Sequence, residues 1–296
     1  MSRTAVTPTR SVVIESKTTP NDRVALVTGA SSGIGEATAR RLAREPGISL
    51  VLVARREQRL AELAAELGAD RVSHVSVDLL DDDAPARVLE HVLERHDRLH
   101  LLVNNAGAAW RARFADGGWE NVRRTMAINF DAQLRLTEAL LALLRASAPS
   151  AIVNVSSTAG RVARAGAGAY SASKFALAGW SDALWAEERP HGVHVGLVLP
   201  GFIATEGFPQ AELTAKPLTR WIVSTPEQAA EAIYQAGVQR RAERYVPRPY
   251  GIAAALRVVA PALVRRVLGG GAAAAMTTAT GPDAAERRNG SAPHDA

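Results

Sequence analysis

Two hydrophobic rhythms alternate along this chain. Short β-branched and leucine-rich runs recur: VALVT from Val24, SLVLVA from Ser49, VSHVSV from Val72, LHLLVN from Leu99, AIVNVS from Ala151, VHVGLVL from Val193 and RYVP from Arg244. Continuous apolar runs read as strands covered on both faces, as in a parallel sheet. Between them lie stretches such as GEATARRLARE and REQRLAELAAEL, where apolar residues return every three or four positions and mark one buried helix stripe. The alternation predicts an α/β fold: a doubly wound parallel sheet with helices on both faces and its ligand at the carboxyl ends of the strands.

Both ends lose the rhythm. Residues 1–20 are rich in Ser, Thr and Arg without a long apolar stretch and read as a disordered leader. Residues 269–296 are poor in large apolar side chains and read as a disordered tail. One domain over 21–248 remains, followed by a basic amphipathic extension over 249–268.

Composition narrows the chemistry. The chain of 296 residues carries a net charge of +5, but its arginines are spread through helical stretches, so no nucleic-acid partner is expected. With no cysteine it has no disulfide, thiolate metal site or Cys nucleophile. Its seven histidines show no ligand spacing; they read as surface residues, and no metal is expected. No apolar run reaches the length of a membrane span, and the expected compartment is the cytoplasm.

The first strand ends in LVTGASSGIGEA, with Gly29, Gly33 and Gly35 between strand and helix. Glycines there permit a tight turn, let main-chain N–H groups approach a pyrophosphate and let helix pack on strand. About 20 residues further on, a dinucleotide site reads the adenosine ribose. There the second strand ends VLVARRE, with Ala54 where a carboxylate would hold a free 2′-hydroxyl, followed by Arg55. A guanidinium can grip a 2′-phosphate with paired donors, which argues for NADP(H) over NAD(H), with Ser31 as a second donor. The bland alternative makes Arg55 and Arg56 solvated helix-start charges.

With TGASSGIG at Thr28 to Gly35, NNAG at Asn104 to Gly107, AIN ending at Asn129, VNVSS ending at Ser157, YSASK at Tyr170 to Lys174 and PGFIAT at Pro200 to Thr205, the chain resembles the short-chain dehydrogenase/reductase family. The resemblance implies a Rossmann-type seven-stranded sheet of order 3-2-1-4-5-6-7 and a homodimer or homotetramer. It implies a catalytic tetrad of Asn129, Ser157, Tyr170 and Lys174. For the cofactor it implies contacts from Ser31, Ser32, Gly33, Ile34 and Gly35 in the turn. It adds Asp78 and Leu79 beside the adenine, Asn105, Ala106 and Gly107 at the fourth strand, Tyr170 and Lys174 themselves, and the segment of Pro200, Gly201, Ile203 and Thr205 at the nicotinamide amide.

The chemistry explains why one of only three lysines stands four residues after Tyr170. Carbonyl reduction delivers a hydride to carbon and a proton to oxygen, so an acid must stand beside the oxygen. A phenol working near neutral pH asks for a downward shift of about 3 units, roughly 4 kcal/mol. One ammonium at about 4 Å supplies about 4 kcal/mol at an effective dielectric of about 20. Positions i and i+4 share a helix face, so Lys174 is expected to lower Tyr170. Ser157 would hold the substrate oxygen, and by the resemblance Asn129 would hold a water linking Lys174 to solvent.

In this family the segment 205–226, ending at the capping box TPEQ, is a flap over the substrate. Phe202, Phe208, Leu213, Leu218 and Trp221 suggest a lipophilic carbonyl or alcohol, with Trp110 and Phe114 as the opposite wall; the alternative is ordinary packing of a helical flap. The extension RPYGIAAALRVVAPALVRRVL, interrupted at Pro261, is expected to pack or act as a lid; peripheral membrane contact is the alternative. Two other functions stand beside an NADP(H)-dependent oxidoreductase. One is a ketoacyl reductase on carrier-bound chains, with Arg111 and Arg113 at the mouth; the other is a non-catalytic NADP(H)-binding regulator.

Overall fold

A computed structural model describes residues 23–204 and 223–268. The expected leader and tail, and Thr205, Phe208, Leu213, Leu218 and Trp221, lie outside the described residues.

Seven parallel strands form the main sheet: β1 (Arg23–Thr28), β2 (Ile48–Ala54), β3 (Val72–Ser76), β4 (Leu101–Asn104), β5 (Ser150–Val155), β6 (Val193–Pro200) and β9 (Glu243–Val246). Their order is β3-β2-β1-β4-β5-β6-β9. This is the expected topology. Its last strand is ninth along the chain because β7 (Phe202–Ile203) and β8 (Val223–Ser224) form a separate parallel pair. That pair ties together the two ends of the flap segment.

Successive side chains on a strand point to opposite faces, and β1 divides its residues accordingly. Ala25 and Val27 join Leu50 and Leu52 under Leu42 of α1 (Gly33–Ala43), Leu60 and Leu63 of α2 (Glu57–Leu67) and Ile233 of α7 (Pro226–Gly237). Val24 and Leu26 join Val51 and Ile152 under Val88 of α3 (Ala84–Arg95), Leu136 and Leu140 of α5 (Ala132–Ala146) and Leu184 of α6 (Gly168–Glu188). Ion pairs fasten helices within each layer. Arg41 reaches Glu231 at 2.7 Å and lies 3.6 Å over the Tyr234 ring, joining α1 to α7. Arg145 grips the buried Glu188 at 2.6 and 2.8 Å, joining α5 to α6.

Histidine departs from expectation. Among the described residues only His191 is exposed; the other five are half-buried. His100 accepts the Val24 N–H at 3.1 Å as β1 begins, and burial pushes His91 down to about 4. An imidazole has an apolar body that can fill a sheet rim while one nitrogen keeps a partner.

Candidate functional site

The glycine turn at the end of β1 has the geometry its sequence demands. Gly29 and Gly33 hold φ of +67° and +57°, the left-handed region that side chains avoid. A Cβ on Gly35 would stand 2.2 Å from the Gly29 carbonyl oxygen. Ser32 precedes α1 without using its side chain as a cap, which leaves the first amides of the helix for an anion. Thr28 stitches this turn to β4: its Oγ1 accepts the N–H groups of Asn105 and Ala106 at 2.9 and 3.0 Å. Asn105 Nδ2 donates to the Thr28 carbonyl at 2.8 Å, so this side chain shapes the turn.

At the ribose end the two arginines divide the work differently from what their order suggests. Arg56 donates to Ser31 Oγ at 3.2 Å and to the Ser31 carbonyl at 3.0 Å. Arg55 is 75% exposed and pairs with Asp78 at 3.5 Å. Arg56 is therefore no mere solvated charge; it braces the turn, and Arg55 keeps its guanidinium in solvent beside Ala54. Asp78 caps its own loop by accepting the Leu80 N–H at 3.1 Å, and Leu79 is buried.

The expected tetrad converges where β4, β5 and β6 end. Asn129 sits in a π-helical turn, Ala127–Asp131, between α4 (Phe114–Met126) and α5. Its Nδ2 donates to the Ala108 carbonyl at 2.8 Å and to Ser173 Oγ at 3.1 Å, and its Oδ1 accepts the Ala108 N–H at 2.9 Å. The side chain is thus a clamp between the NNAG turn and α6. Ser157 accepts the Ala159 N–H and donates to the Pro200 carbonyl, at 3.1 and 3.3 Å, which places it between β5 and β6.

Lys174 is buried and donates to the Val155 carbonyl at 2.9 Å. Gly160 makes room for it, since a Cβ there would lie 2.6 Å from the Lys174 carbonyl oxygen. A Cβ on Gly107 would lie 2.6 Å from Asn129 Oδ1 and 3.6 Å from Lys174 Nζ, so the bare glycine opens the cleft to both.

The charges around the phenol correct one expectation. Burial raises the Tyr170 phenol above its ordinary value, against opposing effects of Ser157, Arg111 and Arg164. Lys174 Nζ lies 5.9 Å from the Tyr170 ring centroid, and burial lowers its own pKa to about 8. The lysine spends its charge on desolvation and on Val155. The cations that pull the phenol down are the two arginines.

Arg164 is a site residue that sequence reasoning missed. Its guanidinium lies 4.7 Å from the Phe202 ring, and burial together with Arg164 lowers Arg111. No local motif marks it, because an irregular loop carries it to Tyr170. The two residues expected at the opposite wall differ in their surroundings. Phe114 is 74% exposed, and Trp110 stacks under Arg124 at 4.8 Å.

An open anion-ready helix start, a bare glycine beside a buried ammonium, and a phenol at the strand ends fit a nicotinamide dinucleotide with a small polar substrate group against Tyr170. Comparisons with known proteins agree. A family model described as short chain dehydrogenase matches residues 23–215. The 3-ketodihydrosphingosine reductase of Bos taurus is 34% identical over 227 residues, covering 72% of this chain and 68% of that protein. A short-chain dehydrogenase crystal structure from Streptomyces avermitilis is 32% identical, with a TM-score of 0.68 over 80% of this chain and 94% of that one. A Burkholderia phymatum short chain dehydrogenase/reductase in complex with NAD shares the fold, with a TM-score of 0.72 at 24% identity over 82% and 95% of the two chains.

Proposed function

The chain belongs to the short-chain dehydrogenase/reductase family, and on that footing we propose that it is an NADP(H)-dependent oxidoreductase acting on a lipophilic ketone or aldehyde, or the matching secondary alcohol. The observation that carries this reading is the convergence of Asn129, Ser157, Tyr170 and Lys174 at the ends of β4 to β6. When bound, the nicotinamide supplies or takes up the hydride. Tyr170, raised by burial, is protonated at neutral pH and hands its proton to the substrate oxygen. Ser157 orients that oxygen. Lys174, near 8, titrates close enough to neutrality to return a proton toward Tyr170 through the water expected at Asn129.

Preference for NADP(H) rests on Ala54 in place of a carboxylate and on the exposed Arg55, with Arg56 holding Ser31 in position. A charge-assisted arginine bond to phosphate contributes about 1.5–3 kcal/mol, so NADPH should bind at least about tenfold more tightly than NADH. Arg55→Ala should abolish that difference; a tighter NADH complex in the wild type would sink the preference. The family's habit supports a homodimer or homotetramer. A second reading, reduction of carrier-bound ketoacyl chains, draws on Arg111 and Arg164 beside Tyr170. Rates on a panel of free ketones and one ketoacyl thioester, followed by NADPH absorbance, separate the two. No turnover on either would favour a regulator.

A further inference from the structure

The extension expected to pack or act as a lid is exposed on this chain along most of its length. It forms α8 (Tyr250–Val259) and α9 (Pro261–Leu268). The Tyr250 ring packs on Gly201, and Ala254 is buried; beyond these the apolar side chains up to Val267 are exposed, apart from the half-buried Ala260 and Val264. Ile252, Leu256 and Val259 follow one another at i, i+4 and i+7 and are 66%, 43% and 77% exposed. On α9, Leu263 and Val267 repeat the pattern at 57% and 65%. Of the twelve large apolar side chains exposed among the described residues, six lie on these two short helices, which makes them a face rather than scattered exceptions.

Charge identifies what that face meets. From Arg244 to Leu268 the chain carries Arg244, Arg248, Arg257, Arg265 and Arg266 and no acidic residue. Arg257 is half-buried, and Arg265 and Arg266 are exposed on the same short helix as Leu263 and Val267. Outward apolar residues on helices that carry arginines and not a single carboxylate suit the interface of a bilayer with anionic headgroups. No helix among the described residues is long and apolar enough to cross a membrane, so the segment would lie in the surface.

We propose that α8 and α9 dock this protein on an anionic membrane surface. The face starts at the site: Tyr250, the first residue of α8, rests on Gly201, one residue beyond the Pro200 carbonyl that holds Ser157. A lipophilic substrate could then pass from the bilayer to Tyr170 without crossing water. Docking itself does not depend on the proposed reaction.

Flotation of the full chain tests this with two vesicle types, phosphatidylcholine alone and phosphatidylcholine with roughly one-third phosphatidylglycerol. The protein should float with the anionic vesicles and stay at the bottom with the neutral ones. Ile252→Asp/Leu256→Asp/Val259→Asp should lose flotation while keeping wild-type circular dichroism and turnover of a water-soluble carbonyl. Each arginine near such a surface raises binding about fivefold, so Arg265→Gln/Arg266→Gln should weaken it about 25-fold. A wild type that stays at the bottom with anionic vesicles overturns the proposal, as does a triple Asp variant that floats normally. So does a triple variant whose only change is dissociation of an oligomer, which would assign the face to a second copy of the chain.

Discussion

Replacing Lys174 by methionine should make the cofactor-free protein more stable at neutral pH. Burial lowers this ammonium from an ordinary 10.5 to about 8, and holding it charged inside the fold therefore costs about 3 kcal/mol. Methionine has a similar length and no charge, so it removes that cost but leaves the Val155 carbonyl without its donor, a loss of about 1–2 kcal/mol. The net gain is about 1–2 kcal/mol, a rise in melting temperature of about 3–6 °C for a domain this size. The sign reverses with pH. A base whose folded pKa is depressed binds fewer protons folded than unfolded between about 8 and 10.5, so wild-type stability climbs through that window. The variant has no such climb, and the wild type should become the more stable of the two near the upper end. Urea titrations of both proteins at a series of pH values provide the assay. A methionine variant less stable at neutral pH, by a margin that does not change with pH, would show that burying the charge is not what this lysine costs the fold.

Three further substitutions probe the supports of the site. Gly35→Ala puts a Cβ against the Gly29 carbonyl; it should cost about 1–3 kcal/mol and weaken dinucleotide binding, read by urea melts and cofactor titration. Gly160→Ala pushes on the Lys174 carbonyl and should lower kcat, read by steady-state kinetics, although it touches no substrate. Arg145 holds the Glu188 carboxyl below its ordinary 4.5, so this pair stabilises the fold above that value and the contribution is lost as pH falls below it. Glu188→Gln should flatten that part of the acid denaturation curve; an unchanged curve would mean that the pair adds nothing there.

The sheet was legible because a buried parallel strand must be apolar along its whole length, and Leu50, Val51, Leu52 and Val53 leave little room for another reading. The Tyr170–Lys174 pair and the glycine turn were legible because their spacing is local: one helix carries the pair, and one strand–helix junction carries Gly29 to Gly35. What escaped depends on long-range contact. Nothing in the order of residues says that Arg164 would lie over Phe202, or that Arg56 rather than Arg55 would turn back to Ser31. Periodicity marked 249–268 as amphipathic but could not say which side faces the domain; Tyr250 on Gly201 and the buried Ala254 fix that. The direction of the Tyr170 shift escaped for a related reason. Attraction between ammonium and phenol follows from their spacing on one helix, whereas the burial that raises one and lowers the other comes from the whole fold around them.

The proposed reaction turns on Tyr170 as its acid. Single-turnover oxidation of NADPH with a lipophilic ketone at neutral pH, compared between the wild type and Tyr170→Phe, puts that role to the test. The half-buried phenol ring can stay while its hydroxyl is lost, so the fold and NADPH affinity should be kept. Loss of a positioned general acid should slow the chemical step by about 10²–10⁴-fold. A phenylalanine variant that oxidises NADPH at close to the wild-type rate would remove Tyr170 from that role.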